Sequence, residues 1–350
     1  ALQDQHLAVA PLHQRSLAQQ VAGMAQLALH LEELAAHAHV AGLQRDLRRQ
    51  QPLGFGDLPE ALAQRLALLH QARFPGYVRE AVEDWPRTRQ RMLDIADELR
   101  ADPPPLPAEE VRQSADMLTW LAEDHFTFLG YREYTLESLP AEDGAGTDDV
   151  LRAVPGTGLG ILRADQDLSE SFARLPEPVR AKARERTLLV LAKANSRATV
   201  HRPAYLDYIG VKRFDAHGSV VGERRFLGLY SSMAYTQSIL DIPILRTKYD
   251  RLVNRFDYVP DSHDAKDLLR FLETYPRDEL FQVDDALLAE IAESVLHLQE
   301  RRHTKLYLRA DDYGRFMSCL VYLPRDRYTT AVRLKIEAIL MATFGGASLD

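Results

Sequence analysis

Residues 193–230 read KANSRATVHRPAYLDYIGVKRFDAHGSVVGERRFLGLY and decide the fold of the region around them. Residues 205–214 and 219–230 are rich in β-branched and aromatic side chains, a composition typical of strands. The four residues between them, DAHG, end on a glycine that can adopt the positive φ of a tight turn. The stretch therefore predicts a β-hairpin.

The hairpin and the residues before it are basic, although the whole chain carries a formal net charge of −8. One interpretation pairs these cations with Asp207, Asp215, Glu223 and acids of neighbouring helices, with little contribution from each exposed pair. The other assigns them to an anion, another domain or another subunit, because guanidinium groups match carboxylates and phosphates. The candidate interface or anion contacts are Arg197, His201, Arg202, Lys212, Arg213, Arg224 and Arg225.

Hydrophobic spacing predicts an α+β protein in which helical regions flank a central antiparallel sheet. The predicted segments are a helical region at 1–101, a proline-rich linker at 102–108, a five-stranded sheet domain at 109–235, a helical connector at 236–300 and a partial α/β domain at 301–350. The order strand, strand, helices, strand, strand, strand within 109–235 is that of a PAS domain.

Several boundaries follow from particular residues. Residues 16–49 have the apolar spacing of an amphipathic helix, and Pro86 is expected to kink or end a later one. The acidic stretch 139–149 is expected to be an exposed loop. The sheet's remaining predicted elements are strands at 125–136, 159–163 and 187–194, with short helices at 168–184.

The last 50 residues predict a second hairpin and one helix. The strands are expected at 305–310 and 315–323, and the helix at 329–344, with a C-terminal stop at Gly345. Two strands and one helix cannot cover both faces of a sheet. We therefore expect this domain to be cut short or to be completed by another segment.

The amino-acid composition limits the kinds of protein to which the chain can belong. The chain has 350 residues, of which 46% are hydrophobic and 27% are charged, as in ordinary soluble proteins. Its single cysteine, Cys319, excludes an intrachain disulfide framework and favours a cytoplasmic location. The acidic charge argues against nucleic acid or a membrane as a partner. Because the chain opens on Ala1 without Met, we expect it to belong to a longer polypeptide.

The sequence contains no strong signal for a nucleotide-binding, nucleophilic or metal-binding site. The spacing of Gly156, Gly158 and Gly160 is not that of a dinucleotide loop, and a strand rather than a helix is expected after it. Ser196, His201 and Asp207 lack a nucleophile elbow, and Cys319 lies in an apolar strand. The histidines at positions 30, 37 and 39 lack metal-ligand spacing. We assign no catalytic, cofactor-binding or metal-binding residue.

Long motifs nevertheless resemble a known family over residues 79–347. Besides KANSRATVHRPAYLDYIGVKRFD and GERRFLGLY, they are REAVEDWPRTRQRMLDIADEL, DHFTFLGYREY, YPRDELFQ, LRADDYGRFMSCLVYLPRDRYTT and FGG. The sequence resembles the N-terminal portion of the large bacterial NAD-specific glutamate dehydrogenases.

The resemblance implies ACT-type and PAS-type regulatory modules, with 109–235 PAS-like and 301–350 the start of an ACT-like domain. It further implies a homo-oligomeric enzyme that oxidises L-glutamate with NAD, the cofactor being held by a catalytic module elsewhere in the polypeptide. The implied partners are that module, other copies of the chain and an amino-acid effector. This segment is then expected to be inactive alone. The alternatives are a stand-alone PAS-type sensor holding haem or flavin and, more remotely, a hydrolase using His201.

Overall fold

A computed structural model gives an α+β fold, as predicted. It describes residues 2–10, 60–140, 147–163, 184–198, 202, 204–297, 304–312, 316–345 and 348–349. The contacts divide the chain into two compact units, one formed by residues 59–250 and the other by residues 1–58 together with 251–350. The predicted helix at 16–49 and most of the predicted helices at 168–184 lie outside the described residues.

The unit of residues 59–250 is built on an antiparallel sheet with strand order β3-β2-β7-β6-β5, in which β4 also pairs with β2. Its helices are α1 (Glu60–Ala101), α2 (Ala108–Trp120) and α3 (Ser232–Thr236). Its strands are β2 (Phe126–Pro140), β3 (Thr147–Ala153), β4 (Leu159–Gly160), β5 (Leu189–Arg197), β6 (Tyr205–Phe214) and β7 (Val220–Tyr230).

The predicted hairpin is confirmed as β6 and β7. Asp215 N donates to Ser219 O at 3.0 Å, and Gly218 has the positive φ, 78°, for which a glycine was expected. The Asp215 carboxylate also accepts hydrogen bonds from the backbone N–H groups of His217 and Ser219 at 2.9 and 2.8 Å. The turn is therefore closed by its own aspartate.

The helices α1 and α2 bury their apolar stripes. Met92 and Ile95 of α1 and Met117 and Leu118 of α2 are essentially inaccessible to solvent. Burial of each such side chain contributes about 1.5–3 kcal/mol. The Arg91 guanidinium lies 5.9 Å from the centre of the Tyr131 ring, so α1 covers the sheet face on which Tyr131 lies.

Helix α1 does not end at Pro86, so the expected boundary there is wrong, while the alternative of a kink stays a prediction. The helix runs from Glu60 to Ala101 through it. Pro86 and the residue four positions earlier, Val82, are both exposed. The carbonyl that loses its helical partner therefore faces water, which can bond to it in place of the missing N–H. Residues 102–107 do leave helical geometry, and they connect α1 to α2 within the same unit.

The two ends of the expected acidic loop at 139–149 are also corrected, whereas its middle, residues 141–146, lies outside the described residues. Strand β2 continues to Pro140, and β3 begins at Thr147 and pairs with it. Val150 and Leu151 are buried, and Leu151 packs with Tyr134. These contacts hold β3 on the sheet despite Asp148 and Asp149. Conversely, the predicted strand at 159–163 shrinks to the two residues of β4.

The other unit contains a helical segment and a second sheet. Its elements include the end of α4 (Pro243–Arg255), then α5 (His263–Thr274), α6 (Arg277–Gln282), α7 (Asp285–Leu296), β8 (Lys305–Ala310), β9 (Met317–Pro324), α8 (Thr330–Phe344) and β10 (Ser348–Leu349). The Asp284 side chain caps α7 by accepting from Ala286 N and Leu287 N, both at 2.9 Å.

An N-terminal strand, β1 (Leu2–Ala10), joins this second sheet. The strand order is β10-β1-β9-β8, and β1 pairs antiparallel with β9 from Leu2 opposite Pro324 to Val9 opposite Met317. The expected helical character of residues 1–101 is thus wrong for residues 2–10. The segment that completes the domain comes from the opposite end of the sequence, which local patterning does not reveal.

Helix α8 covers one face of this sheet. Its buried residues Ile336, Leu340 and Phe344 pack with side chains of β9 that include Cys319 and Val321. Thr329 caps its start by accepting from Val332 N at 3.2 Å, and Gly345 ends it with φ 64°. The predicted glycine stop is confirmed.

A buried carboxylate ties the glycine-rich segment 156–160 to α1. Asp84 is 2% exposed and accepts hydrogen bonds from Gly160 N at 2.8 Å and from Arg163 Nη2 at 2.7 Å. Burial by itself raises the pKa of Asp84, but the Gly160 and Arg163 hydrogen bonds outweigh it and place the pKa below its ordinary value. The carboxylate is therefore charged in the folded protein at neutral pH.

We predict that Asp84→Asn destabilises this unit by about 1–3 kcal/mol at pH 7, since the buried Gly160 N–H and the Arg163 guanidinium lose a charged acceptor. Because the folded-state pKa is depressed, the carboxylate stabilises the fold above its unfolded pKa, and this contribution disappears as the pH falls below about 4. The difference between wild type and variant in urea unfolding should therefore shrink in acid.

The matched control is Asp97→Asn, because the Asp97 side chain is 79% exposed and pairs only at the surface of α1 with Arg100. That change should alter the free energy of unfolding by less than about 0.5 kcal/mol. Equal effects of the two substitutions, or a pH-independent effect of Asp84→Asn, would contradict the assignment.

Candidate functional site

Arg225 is a largely buried member of the predicted cations and lies on β7, a central strand of the first sheet. Its guanidinium lies 4.2 Å from the centre of the Tyr134 ring and 5.1 Å from that of Tyr208, and its Nε is 3.2 Å from Glu223 Oε1. The Tyr208 hydroxyl also donates to Glu223. Burial opposes the charge, but Tyr208 and Glu223 outweigh it and raise the pKa of Arg225. This cation stabilises the sheet on which it lies.

The next three cations also contact groups of their own unit. The buried Lys212 donates from Nζ to Glu185 O at 2.7 Å. Arg224 Nη1 lies 2.5 Å from Glu98 Oε2 on α1, and Arg213 Nη1 lies 4.0 Å from Glu133 Oε2. These contacts connect the hairpin to α1 and to β2.

Arg197 and Arg202 are the exposed members of the set. The Arg197 guanidinium lies 4.8 Å from the centre of the Tyr205 ring, and Arg202 Nη2 donates to Tyr230 O at 3.1 Å. His201 lies outside the described residues. The contacts of the six described cations follow the interpretation in which they pair within the fold, and a role at an interface remains a prediction.

The geometry of Asp207 and Cys319, two residues considered for nucleophilic catalysis, does not suit that role. Asp207 is 1% exposed and is bound to Lys193 Nζ at 2.5 Å and to Tyr230 N at 2.9 Å. Cys319 is completely buried, and burial together with the charge of Glu279 raises the pKa of its thiol to about 12. A thiol held in this way is not a nucleophile at neutral pH.

The glycine-rich segment does not fit a dinucleotide. Gly160 has φ 58° and lies against the backbone of Leu129, and the described residues directly after β4, 161–163, do not form a helix. A Cβ atom added at Gly158 would lie 2.8 Å from Arg132 Nη2. The protein's own arginine thus occupies the space that a pyrophosphate would need beside this glycine. The segment is a close turn held by Asp84.

In the described part of the chain, no three His, Cys, Asp or Glu side chains come together as a metal site requires. His30, His37 and His39 lie outside it. Nor does any described helix combine the length and apolar character needed to cross a bilayer.

The strongest candidate for a functional contact lies where the helical segment meets the second sheet. Arg309 of β8 reaches Glu279 of α6 through two hydrogen bonds, from Nε to Oε1 and from Nη2 to Oε2, the latter at 2.9 Å. The two side chains are only 11% and 3% exposed. Lys305 Nζ makes a second contact between the same regions, 2.5 Å from Ser294 Oγ on α7.

Electrostatics favour the charged form of Arg309. Burial alone lowers the pKa of Arg309, but the hydrogen bond and charge of Glu279 outweigh it and raise the pKa above its ordinary value. The same carboxylate raises the pKa of Tyr275, after the larger effect of burial. Removal of either side chain would take an oppositely charged hydrogen-bond partner from a buried ion. The pair therefore fixes α6 on the sheet.

Sequence reasoning missed this pair. Glu279 lies in YPRDELFQ and Arg309 in LRADDYG, the two residues are 30 positions apart, and no local spacing relates them. The available signal was the alternation of Lys305, Tyr307 and Arg309, which places polar groups on one face of an otherwise apolar strand.

We predict that Glu279→Gln and Arg309→Met each destabilise the unit of residues 251–350 by about 3–5 kcal/mol, because each leaves a buried charge without its partner. The double variant should lose much less than the sum of the two. Urea unfolding of the four proteins measures this coupling.

The control is Arg270→Gln, which removes an exposed pair with Asp267 on α5 and should change stability by less than about 0.5 kcal/mol. Additive losses in the double variant would show that the two side chains act independently and would refute the coupling.

Two family models match the regions that this pair joins. Residues 242–301 match the glutamate dehydrogenase helical motif 1, and residues 305–350 match the glutamate dehydrogenase ACT2 domain. The boundary between the matches falls in the short connection between α7 and β8. The expected ACT-like character of the last domain is confirmed.

Relatives that align with most of the chain agree with these matches. The chain is 38% identical over 284 residues to the NAD-specific glutamate dehydrogenase of Halomonas elongata and 38% identical over 267 residues to that of Pseudomonas aeruginosa. The alignments cover 77% and 76% of this chain but 17% and 16% of those proteins. A Mycobacterium tuberculosis enzyme of the same name is 35% identical over 243 residues, with 69% and 14% covered. The chain therefore spans about one sixth of the length of the relatives it matches, and it belongs to the NAD-specific glutamate dehydrogenase family, in the part that carries helical motif 1 and the ACT2 domain.

Proposed function

We propose that this chain is a non-catalytic regulatory and assembly segment of an NAD-dependent glutamate dehydrogenase. The whole enzyme would convert L-glutamate, NAD and water to 2-oxoglutarate, ammonia and NADH. The observation that carries the proposal is the meeting of the helical motif and the ACT2 domain in one unit, at Glu279 and Arg309.

Within this proposal the chain contacts other parts of the enzyme and carries no catalytic residue. NAD would bind to a separate catalytic module, because the glycine-rich segment 156–160 contacts Arg132 and Asp84 of its own unit. We retain the PAS-like assignment of residues 109–235 as part of the proposal, on the order of their strands. The segment boundaries at 101, 108, 235 and 300 are likewise proposals.

The partners would be the enzyme's own catalytic module and further copies of the chain in a cytoplasmic homo-oligomer. Among the candidate cations, Arg197 and Arg202 are the ones exposed enough to reach a partner. The stand-alone sensor gains no support from the matches, which name glutamate dehydrogenase regions alone.

We predict that the purified 350-residue chain forms no NADH from L-glutamate and NAD. Absorbance at 340 nm should stay at the level of a glutamate-free control across the pH range in which the chain is folded. A rise that saturates with glutamate concentration and survives repeated purification would overturn the non-catalytic assignment.

The assembly part has a separate test. Sedimentation velocity over a hundredfold range of protein concentration should show association, which Arg197→Glu together with Arg202→Glu weakens without changing the melting temperature. A chain that stays monomeric throughout would refute self-assembly through this segment while leaving the non-catalytic assignment intact.

A further inference from the structure

A cavity of about 420 Å³ lies between the C-terminal end of α4 and one face of α7. Its walls are formed by Arg255, Phe256, Leu287, Glu290, Glu293 and two alanines of α7. All of these residues belong to the unit of residues 251–350 and to the matched helical motif. The volume falls in the range of small-molecule sites.

Helix geometry sets the positions of the charged groups. Glu290 and Glu293 are three residues apart on α7, so their side chains are neighbours on its surface. Arg255 ends α4 and faces them across the cavity. Phe256 adds an aromatic wall and lies against Tyr258, with ring centres 5.3 Å apart. The site thus combines two carboxylates, one guanidinium and an apolar surface.

These charges are available to a ligand. Within the described part of the chain, the side chains of Arg255, Glu290 and Glu293 make no ion pair or hydrogen bond. By contrast, Arg251, one turn earlier on α4, pairs with Asp285 of α7 at 2.9 Å. Burial and the charges of Asp264 and Glu293 raise the pKa of Tyr258 beside the cavity. The surroundings are therefore acidic, with one built-in cation.

We propose that this cavity binds a basic α-amino acid. The ligand's carboxylate would pair with the Arg255 guanidinium, whose fork suits it. Its α-amino and side-chain amino groups would pair with Glu290 and Glu293, and its methylene chain would lie on Leu287 and Phe256. One negative and two positive ligand groups match one guanidinium and two carboxylates. That such a ligand acts as an effector rests on the proposed function. The prediction that it binds in this cavity is independent of that function.

The test is isothermal titration of the 350-residue chain with L-lysine. Three analogues each lack one of the recognised groups: cadaverine lacks the carboxylate, 6-aminohexanoate lacks the α-amino group and L-norleucine lacks the side-chain amino group. We expect saturable binding of L-lysine and at least about tenfold weaker binding of each analogue.

Two variants locate the site. Arg255→Gln and Glu293→Gln should each weaken L-lysine binding at least about tenfold, whereas Arg251→Gln, which changes a neighbouring arginine outside the cavity, should leave it unchanged. Because all three positions are exposed, equal melting temperatures should show that the variants fold.

Three results would overturn the proposal: no saturable binding of L-lysine, unchanged binding in both cavity variants, or cadaverine binding as tightly as L-lysine. None of these results bears on NADH formation or sedimentation, so failure here is distinguishable from failure of the proposed function.

Discussion

The buried pair of Glu279 and Arg309 constrains how the helical segment and the sheet are placed within the second unit. Each charge would be costly in this environment without the other, so the strand that carries Arg309 and the helix that carries Glu279 must be placed together. Helix α8 covers the other face of the same sheet with apolar side chains. One face of the sheet is thus fixed by a directional contact and the other by packing, which gives the ACT2 domain and the helical motif a single relative position.

The first unit uses charge in a different way. Its basic hairpin would be an anion site if the cations projected into solvent, yet Arg225 lies between two tyrosine rings and Lys212 and Arg224 reach acceptors on neighbouring segments. The cations are close together in sequence, but each makes a separate contact that joins one strand to another or to α1. The basic hairpin therefore stabilises the sheet, although its sequence resembles a binding motif.

Locally encoded features were predictable from sequence. The hairpin followed from alternation and a DAHG turn, and the stop of α8 followed from Gly345, because neighbouring residues alone determine such geometry. Features that depend on distant partners were not. Strand β1 pairs with a strand more than 300 residues away, β3 is held by the buried side chain of Leu151, and α1 continues through Pro86, where the carbonyl left without a donor is that of the exposed Val82. The Glu279–Arg309 contact belongs to this second class, as does the facing of Arg255 and Glu293.

The central claim is that the helical motif and the ACT2 sheet form one cooperative unit held by the Glu279–Arg309 pair. Native-state hydrogen exchange over a series of low urea concentrations tests it most directly, because it gives the opening free energy of each segment separately. The account predicts that amides of α6 and α7 and those of β8 and β9 converge on one opening free energy and one dependence on urea. Exchange of the helices at a distinctly lower free energy, with the sheet still protected, would contradict it.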